Sequence, residues 1–455
     1  MRIKVQAKNI LVVISLLAGI IFLYTAFFSI SEGDINAKII QAIRLYSIVI
    51  VGLSIYQIFK TKIIDILLSI TIFNVFYLAL EFGLFLYGRT ETVYPALNAI
   101  NKPNVHFNPK TGYKWDSNDT CRCVRIGENV VIFDNKFVTN NYGYVTHNEF
   151  YTQKQDAIKK RYMVLGDSFT AALFLESNWV DRVNELSQES GNDSIEFYPF
   201  GVDGGGVLNW HAIFFNEIVP EFHFDGVIIA SFFDDLNRDL QIYNSENGSC
   251  IMTGFDSLPN QKKFIKQQKK QGRIAWEVKS DKEIDTFKKN KEVKLRSKRN
   301  EWTLSFVKRI APLIIRAYYN FNHIRKYYKE DADINQLIHL FYPSHKINRL
   351  YEIIEYCKNN NKEVIITSIP NKESIGRDYV SKNQKSIQHI ELSYIAKKYN
   401  TLYFDGFEVY DEFSKEEIDS YWLKYDGHWN QKGSDLYANS FARWFAQSKL
   451  NNQNL

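Results

Sequence analysis

Apolar positions along this chain follow two different patterns. Over residues 1–88 they form three long runs, at 10–30, 39–59 and 63–87. The first, ILVVISLLAGIIFLYTAFFSI, has 21 residues and no formal charge, and about 20 such residues span the hydrocarbon core of a bilayer. The second contains Arg44, and the third Asp65, Asn74 and Glu81. The pattern predicts three transmembrane helices. A cleaved signal peptide does not fit the first run, which is too long, lacks an A-x-A-like site and is followed by two more spans. Arg2, Lys4 and Lys8 precede the first span, and Lys60 and Lys62 join the second to the third. The loop between the first two carries Glu32 and Asp34 against Lys38 alone. Positive-inside bias therefore places the N-terminus in the cytoplasm and everything after residue 88 outside it. The expected location is the plasma membrane, multi-pass, with the downstream domain extracytoplasmic. Arg44 and Asp65 lie where they can snorkel, and Glu81 is expected to pair with a neighbouring helix or a headgroup.

After a mixed pre-domain segment at 89–160, the apolar runs shorten and become rich in β-branched and aromatic residues. They are Tyr162–Leu165, Ile195–Phe200, Val227–Phe233, Val364–Ile369 and Leu402–Phe404. Between them lie helix-like segments at 177–190, 207–218, 347–359, 383–399 and 431–447. Strand–helix alternation predicts an α/β domain with a doubly wound parallel sheet and sites at the carboxyl ends of its strands. The rhythm breaks once, between the third and fourth runs. A connection that long is an insertion with structure of its own. The expected divisions are a membrane anchor (1–88), the pre-domain segment (89–160), a first core part (161–240), a helical basic insertion (241–345) and a second core part (346–455).

Composition sharpens this in one place. The 455 residues carry 56 Lys plus Arg against 51 Asp plus Glu, a net charge of +5. Residues 261–300 alone hold 15 basic and 5 acidic residues, a net of +10, which leaves −5 on all the rest. A basic stretch of this density suits an anionic polymer or lipid headgroups, or simply a solvated face. Nucleic acid is not expected, because aromatic interleaving is thin (Phe264, Trp276, Phe287) and the location is outside the cell. The aromatic, amphipathic segment at 302–328 would cap a site or lie on a bilayer. Four cysteines are too few for a disulfide scaffold. Cys121, Cys123, Cys250 and Cys357 allow pairing of one of the first two with Cys250, or free thiols. The histidines show no paired metal-ligand spacing, so neither a metal nor a cofactor is expected.

Candidate chemistry sits at the predicted strand ends. The first run closes in Gly166-Asp167-Ser168-Phe169-Thr170, and a serine at a strand-to-helix turn has backbone N–H groups beside its hydroxyl, as a nucleophile requires. A capping role at an ordinary turn is the plain alternative. The second run closes in Gly201-Val202-Asp203-Gly204-Gly205-Gly206, which fits neither a phosphate loop nor G-x-G-x-x-G. The third closes in Phe233-Asp234-Asp235-Leu236-Asn237-Arg238-Asp239. Near the C-terminus, Asp426-Gly427-His428-Trp429-Asn430 puts a histidine two residues after a carboxylate that can orient it as a general base.

Taken in this order, G-D-S-x-T, the glycine turn, the polar turn and D-x-H-x-N resemble the SGNH (GDSL) hydrolase superfamily. The likeness covers about 162–240 and 360–447. Asn140-x-x-Gly143-Tyr144 resembles an entry segment of many bacterial members, with Val145 where an Arg is usual. The resemblance implies a flavodoxin-like three-layer fold and serine ester hydrolysis or O-acyl transfer. Ser168 matches the nucleophile and one oxyanion N–H, Gly204 the second N–H donor, His428 the base and Asp426 its orienting acid. The D-x-H spacing is similar to that of the cell-surface polysaccharide O-acetyltransferase branch, which implies an acylated carbohydrate or surface polymer as substrate.

One position departs from the pattern. Asp234 stands where an Asn normally supplies the third oxyanion donor. A carboxylate accepts hydrogen bonds and repels a developing oxyanion unless it is protonated, and losing one donor costs on the order of 10²–10³ in rate. Asn237 is the substitute within reach along the chain; otherwise Asp234 is protonated or two N–H donors suffice. A contrasting reading is a catalytically degenerate domain that serves surface-polymer modification or export as a binding or assembly factor. A third treats the spans and the basic stretch as the working part and the α/β domain as a sensor.

Overall fold

The computed structural model describes residues 96–289 and 343–453, apart from 128–129, 155–158, 191–193, 247, 269–271, 373–374 and 376–386, together with two short strands, Thr92–Val93 and Leu295–Arg296. The chain divides into two units, Met1–Tyr94 with Val293–Glu330 and Pro95–Glu292 with Asp331–Leu455. Of the first, only the antiparallel pairing of Thr92–Val93 with Leu295–Arg296 is described. The three apolar runs and the segment at 302–328 lie outside the described residues. Among the described residues no helix is long and apolar enough to cross a membrane.

The second unit begins with β1 (Leu97–Ile100), the hairpin β2 (Val105–Asn108) and β3 (Gly112–Trp115), then β4 (Thr120–Gly127) and β5 (Val130–Val138). There follow β6 (Lys160–Gly166), α1 (Ser168–Ala171), α2 (Trp179–Glu189), β7 (Ile195–Gly201), α3 (Val207–Ile213) and β8 (Gly226–Ser231). A π turn, Phe214–Ile218, extends α3. The next stretch holds β9 (Leu240–Glu246), β10 (Ser249–Phe255), α4 (Gln261–Gln268), β11 (Arg273–Val278) and α5 (Asp281–Lys289). The last is α6 (Ser344–Asn359), β12 (Glu363–Ser368), α7 (Ile387–Lys398), β13 (Leu402–Phe404), α8 (Lys415–Ser420) and α9 (Gln431–Gln453).

The core sheet runs β13-β12-β8-β6-β7, and every pairing in it is parallel. Numbered by appearance along the chain this is the 2-1-3-4-5 order of flavodoxin-like sheets, whose switch point lies between its first and third strands. All six residues of β8, GVIIAS, are buried. Neighbouring side chains on a strand face opposite ways, so both faces of the sheet are covered, as a continuous apolar run demands. Helix α2 packs on α9, and α3 on α6. Aromatic edges fill the seams: Trp179 meets Tyr437 and Phe441 at 5.3 Å, and Phe214 meets Tyr356 at 5.5 Å.

The insertion departs from the helical expectation. Its described part contributes β9, β10 and β11 to a six-stranded sheet in the order β9-β10-β11-β1-β4-β5, which is antiparallel except where β11 runs parallel to β1. Pre-domain segment and insertion are thus two pieces of one sheet. Lysine density concealed the strand alternation, because these strands bury few positions; in β11 only Trp276 is fully enclosed. Helix α4 is anchored by Phe264, and α5 by Ile284 with the partly buried Phe287 beside it. Ion pairs tie the insertion to β4 and β5: Arg122 of β4 pairs with Asp281 and Asp285 of α5, and Lys288 of α5 pairs with Asp134 of β5.

Arg161 on β6 is buried completely. Its guanidinium pairs with Glu196 at 2.5 Å, donates to the carbonyls of Tyr151 (2.6 Å) and Gln153 (3.2 Å), and lies 4.6 Å over the Tyr198 ring. It ties the segment entering the core to the first two strands. Arg161→Met should lower stability by about 3 kcal/mol, the lower end for a broken buried pair because Glu196 keeps some solvent. The check is the urea midpoint at constant m; a shift worth under about 1 kcal/mol would contradict it.

Candidate active site

Strand β6 is buried from its second residue and ends at Gly166. Asp167 then caps α1, its Oδ1 accepting the Phe169 N–H at 2.9 Å. That cap turns the chain sharply enough to make Ser168 the first helical residue, at the carboxyl edge of the sheet. The turn sits tightly on β7, for a Cβ on Gly201 would lie 2.2 Å from the Ala171 nitrogen. Glycine at that position lets the helix carrying the serine approach the neighbouring strand. After α1, the Leu173 carbonyl accepts from Cys123 Sγ–H and Asn135 Nδ2, both at 2.9 Å, so β4 and β5 hold the exit from the helix.

His428 comes from the loop between α8 and α9. That loop is closed by hydrogen bonds from the Leu423 N–H to the His428 carbonyl and from the Asn430 N–H to the Tyr421 carbonyl, each 2.9 Å. His428 Nε2 lies 2.8 Å from Ser168 Oγ. On the other side of the ring, Nδ1 lies 2.5 Å from Asp426 Oδ1, which also accepts the His428 backbone N–H at 2.9 Å. A carboxylate can only accept, so Nδ1 carries the proton and Nε2 is free to accept from the serine hydroxyl. The rings of Phe169 and Phe174 pack on the imidazole at 4.8 and 4.5 Å.

Asp426 is only 4% exposed and its Oδ2 forms an ion pair with Arg125 of β4. Burial alone would raise its pKa, but the His428 contacts and the Arg125 charge prevail and hold it well below the usual carboxylate range. It is therefore ionised at any pH at which the imidazole can act as a base.

Two backbone donors face no competing acceptor. Among the described residues, neither the Ser168 N–H nor the Gly204 N–H donates to a protein atom. Gly204 has φ +68°, a left-handed conformation that a side chain would strain. Its turn is fixed from the neighbouring carbonyl of Asp203, which accepts from Tyr243 Oη at 2.9 Å and Tyr113 Oη at 3.3 Å. Those two rings stack at 4.3 Å.

The Asp234 side chain is 52% exposed, and its Oδ1 is engaged by Arg238 at 2.6 Å. The Asn237 side chain makes no hydrogen bond to Ser168 or His428, and its carbonyl accepts from Lys346 at 2.6 Å. Arg238 is the pivot here. Besides Asp234 it reaches Asp167 Oδ2 (3.1 Å), Asp235 Oδ1 (2.9 Å) and the Gly205 carbonyl (2.9 Å). Asp167 and Asp235 are both enclosed. Burial and the nearby Asp167 charge push Asp235 well above the usual range.

Sequence reasoning brought Ser168, His428 and Asp426 together, and the structure joins them by hydrogen bonds. It missed Arg125, Arg238, Tyr113 and Tyr243. The spacing Asp234/Asp235 to Arg238, three and four residues apart, was a legible signal for the second of these. Nothing local marks Arg125. The Asn140 segment is a turn centred on Asn140 Oδ1, which accepts the N–H groups of Tyr142 and Tyr144 at 3.0 Å, with Gly143 at φ +73°. The four cysteines are buried free thiols.

No protein-family model and no curated protein matches this chain. Among solved structures it is similar to an acetylxylan esterase from Geobacillus stearothermophilus at 13% identity, covering 64% of this chain and 95% of that one, with a TM-score of 0.33. The lipase/acylhydrolase from Enterococcus faecalis matches at 13% identity over 62% of this chain and 94% of that one, TM-score 0.31. A GDSL-like lipase from Bacteroides thetaiotaomicron matches at 10% identity over 64% and 89%, TM-score 0.30. At such scores the functional reading rests on the site's own geometry.

Proposed function

We propose that this chain is an SGNH-type serine esterase or O-acyltransferase, anchored by its N-terminal spans and working on an acylated carbohydrate of the cell envelope. The observation that carries the proposal is the continuous line from Ser168 Oγ through His428 to Asp426. His428 Nε2 takes the hydroxyl proton as Oγ bonds to the acyl carbonyl carbon. The N–H groups of Ser168 and Gly204 then receive the negative oxygen. Collapse breaks the ester C–O bond, and the imidazolium gives its proton to the departing alkoxide. Water or a sugar hydroxyl, deprotonated by the same nitrogen, attacks the acyl-serine; the acyl–Oγ bond breaks, the imidazolium returns its proton to Ser168 Oγ, and the acid or a new ester leaves.

A carbohydrate substrate is supported by two exposed aromatics at the site. Phe233 follows β8 and is 52% exposed; Tyr425, next to Asp426, is 57% exposed. Tyr425 also has φ +63°, a conformation that costs on the order of 1–3 kcal/mol in a bulky residue. The strained turn sends Asp426 inward and leaves the tyrosine ring outside, where a sugar ring can stack. Tyr425→Ala and Phe233→Ala should each raise KM for an acetylated oligosaccharide by about 3- to 10-fold, more than for a small aryl acetate. Equal changes on both substrates would refute stacking. The exposed α4 lysines Lys262, Lys263 and Lys266 belong to the basic stretch and are the proposed contact for an anionic polymer.

The direct test is covalent labelling of the folded, membrane-inserted protein by a fluorophosphonate, with acetate release from an aryl acetate measured in parallel. Labelling supports the proposal. An unlabelled and inactive folded protein overturns it and favours the degenerate binding domain, the reading that Asp234 suggests.

A further inference from the structure

We infer that Arg125 is a positioning residue of the triad, and that the six-stranded sheet is part of the catalytic apparatus because it supplies this arginine. The inference rests on the Ser-His-Asp reading above. The two oxygens of Asp426 are divided between partners: Oδ1 takes both N–H groups of His428, and Oδ2 takes Arg125 Nη1. Without the second contact the carboxylate could rotate about its χ2 bond, and with it the imidazole. Arg125 is itself fixed from behind. Its Nε donates to Asn98 Oδ1 of β1 at 3.3 Å, and its guanidinium lies 5.5 Å over the Phe133 ring of β5. Asn98 in turn donates to the Ala275 carbonyl of β11. Four strands of the second sheet, one of them in the basic insertion, thus take part in holding the acid of the triad.

The pair has an electrical consequence with a definite sign. Asp426 stabilises the imidazolium of His428, and Arg125 offsets part of that attraction. The other charge acting on this ring is Asp167, beneath Ser168, with Arg238 paired to it at 3.1 Å. Neither changes when Arg125 is removed. Loss of the arginine charge therefore strengthens the hold of Asp426 on the proton. His428 becomes a base only at higher pH, and the acid limb of the rate profile moves up.

The test is the fluorophosphonate labelling rate of the full chain over roughly pH 5 to 9, the range of an imidazole base. Arg125→Gln, which keeps a hydrogen-bond donor but no charge, should shift the acid limb upward by about one pH unit. Arg125→Ala should show the same shift with a plateau lowered by about 10- to 100-fold from lost orientation. Arg125→Lys should restore the wild-type limb and part of the plateau. The limb position does not depend on how much protein folds, so poorly folding variants still report it. An unchanged limb in Arg125→Gln and Arg125→Ala, with a plateau merely scaled down, would reduce Arg125 to a structural contact and overturn the inference. Failure of the wild type to label would instead remove the Ser-His-Asp reading itself, and this inference with it.

Discussion

Replacing Ser168 by alanine should abolish fluorophosphonate labelling and lower ester hydrolysis by about 10⁴- to 10⁶-fold, the range over which a serine triad loses activity when its nucleophile is removed. The loss is large because the hydroxyl has no understudy. Among the described residues, His428 Nε2 meets no other protein hydroxyl, and the N–H groups of Ser168 and Gly204 can polarise a carbonyl but cannot attack it. Thermal unfolding should barely change, since the alanine methyl fits where Cβ already lies and His428 keeps its bond to Asp426. Titration with the probe, acetate release and a melting curve on the same preparation provide the check. Labelling that survives in Ser168→Ala would move the reactive group elsewhere in the fold.

Asp426→Asn should reduce turnover by about 10⁴-fold. The amide can present its NH₂ group to His428 Nδ1. That ring nitrogen then accepts, the proton moves to Nε2, and the imidazole points a donor at Ser168 when catalysis needs an acceptor there. Arg125 would also face a neutral group in a site built for an anion, so the carbonyl oxygen of the amide is expected to turn toward it. That choice reinforces the wrong tautomer. Steady-state kinetics on an aryl acetate measure the effect, and a decline of less than about tenfold would mean that Asp426 does not orient the base.

Much of this arrangement could be read from the residues because it depends on local signals. Tyr162–Leu165 and Val227–Phe233 are apolar without alternation, as strands covered on both faces must be, and the structure extends them to Lys160–Gly166 and trims the second to Gly226–Ser231. Ser168 is marked by the strand-to-helix turn, and His428 by its carboxylate two residues before. The second sheet was not legible. Its strands β10 and β11 bury only scattered positions such as Cys250 and Trp276, so their alternation is drowned by the lysines around them. Their partners β1, β4 and β5 lie on the far side of the α/β core in sequence, and pairing over such separations leaves no local trace. Arg125 was invisible for the same reason, standing 301 residues from the carboxylate it holds. Asp234 and Asp235 are chemically alike and both meet Arg238, yet the fold leaves one 52% exposed and encloses the other.

The bond between Ser168 and His428 spans 260 residues, and β8 must pair with β12 across the whole insertion before the core sheet is complete. Contacts so distant along the chain pay their loop-closure entropy late, and they make folding slow. A nascent chain emerging from the ribosome would carry its nucleophile long before its base. Ser168 is then an ordinary alcohol with an undisturbed proton, unreactive toward the esters it passes. Synthesis itself acts as a safety catch, released only when the final loop and α9 close over the sheet.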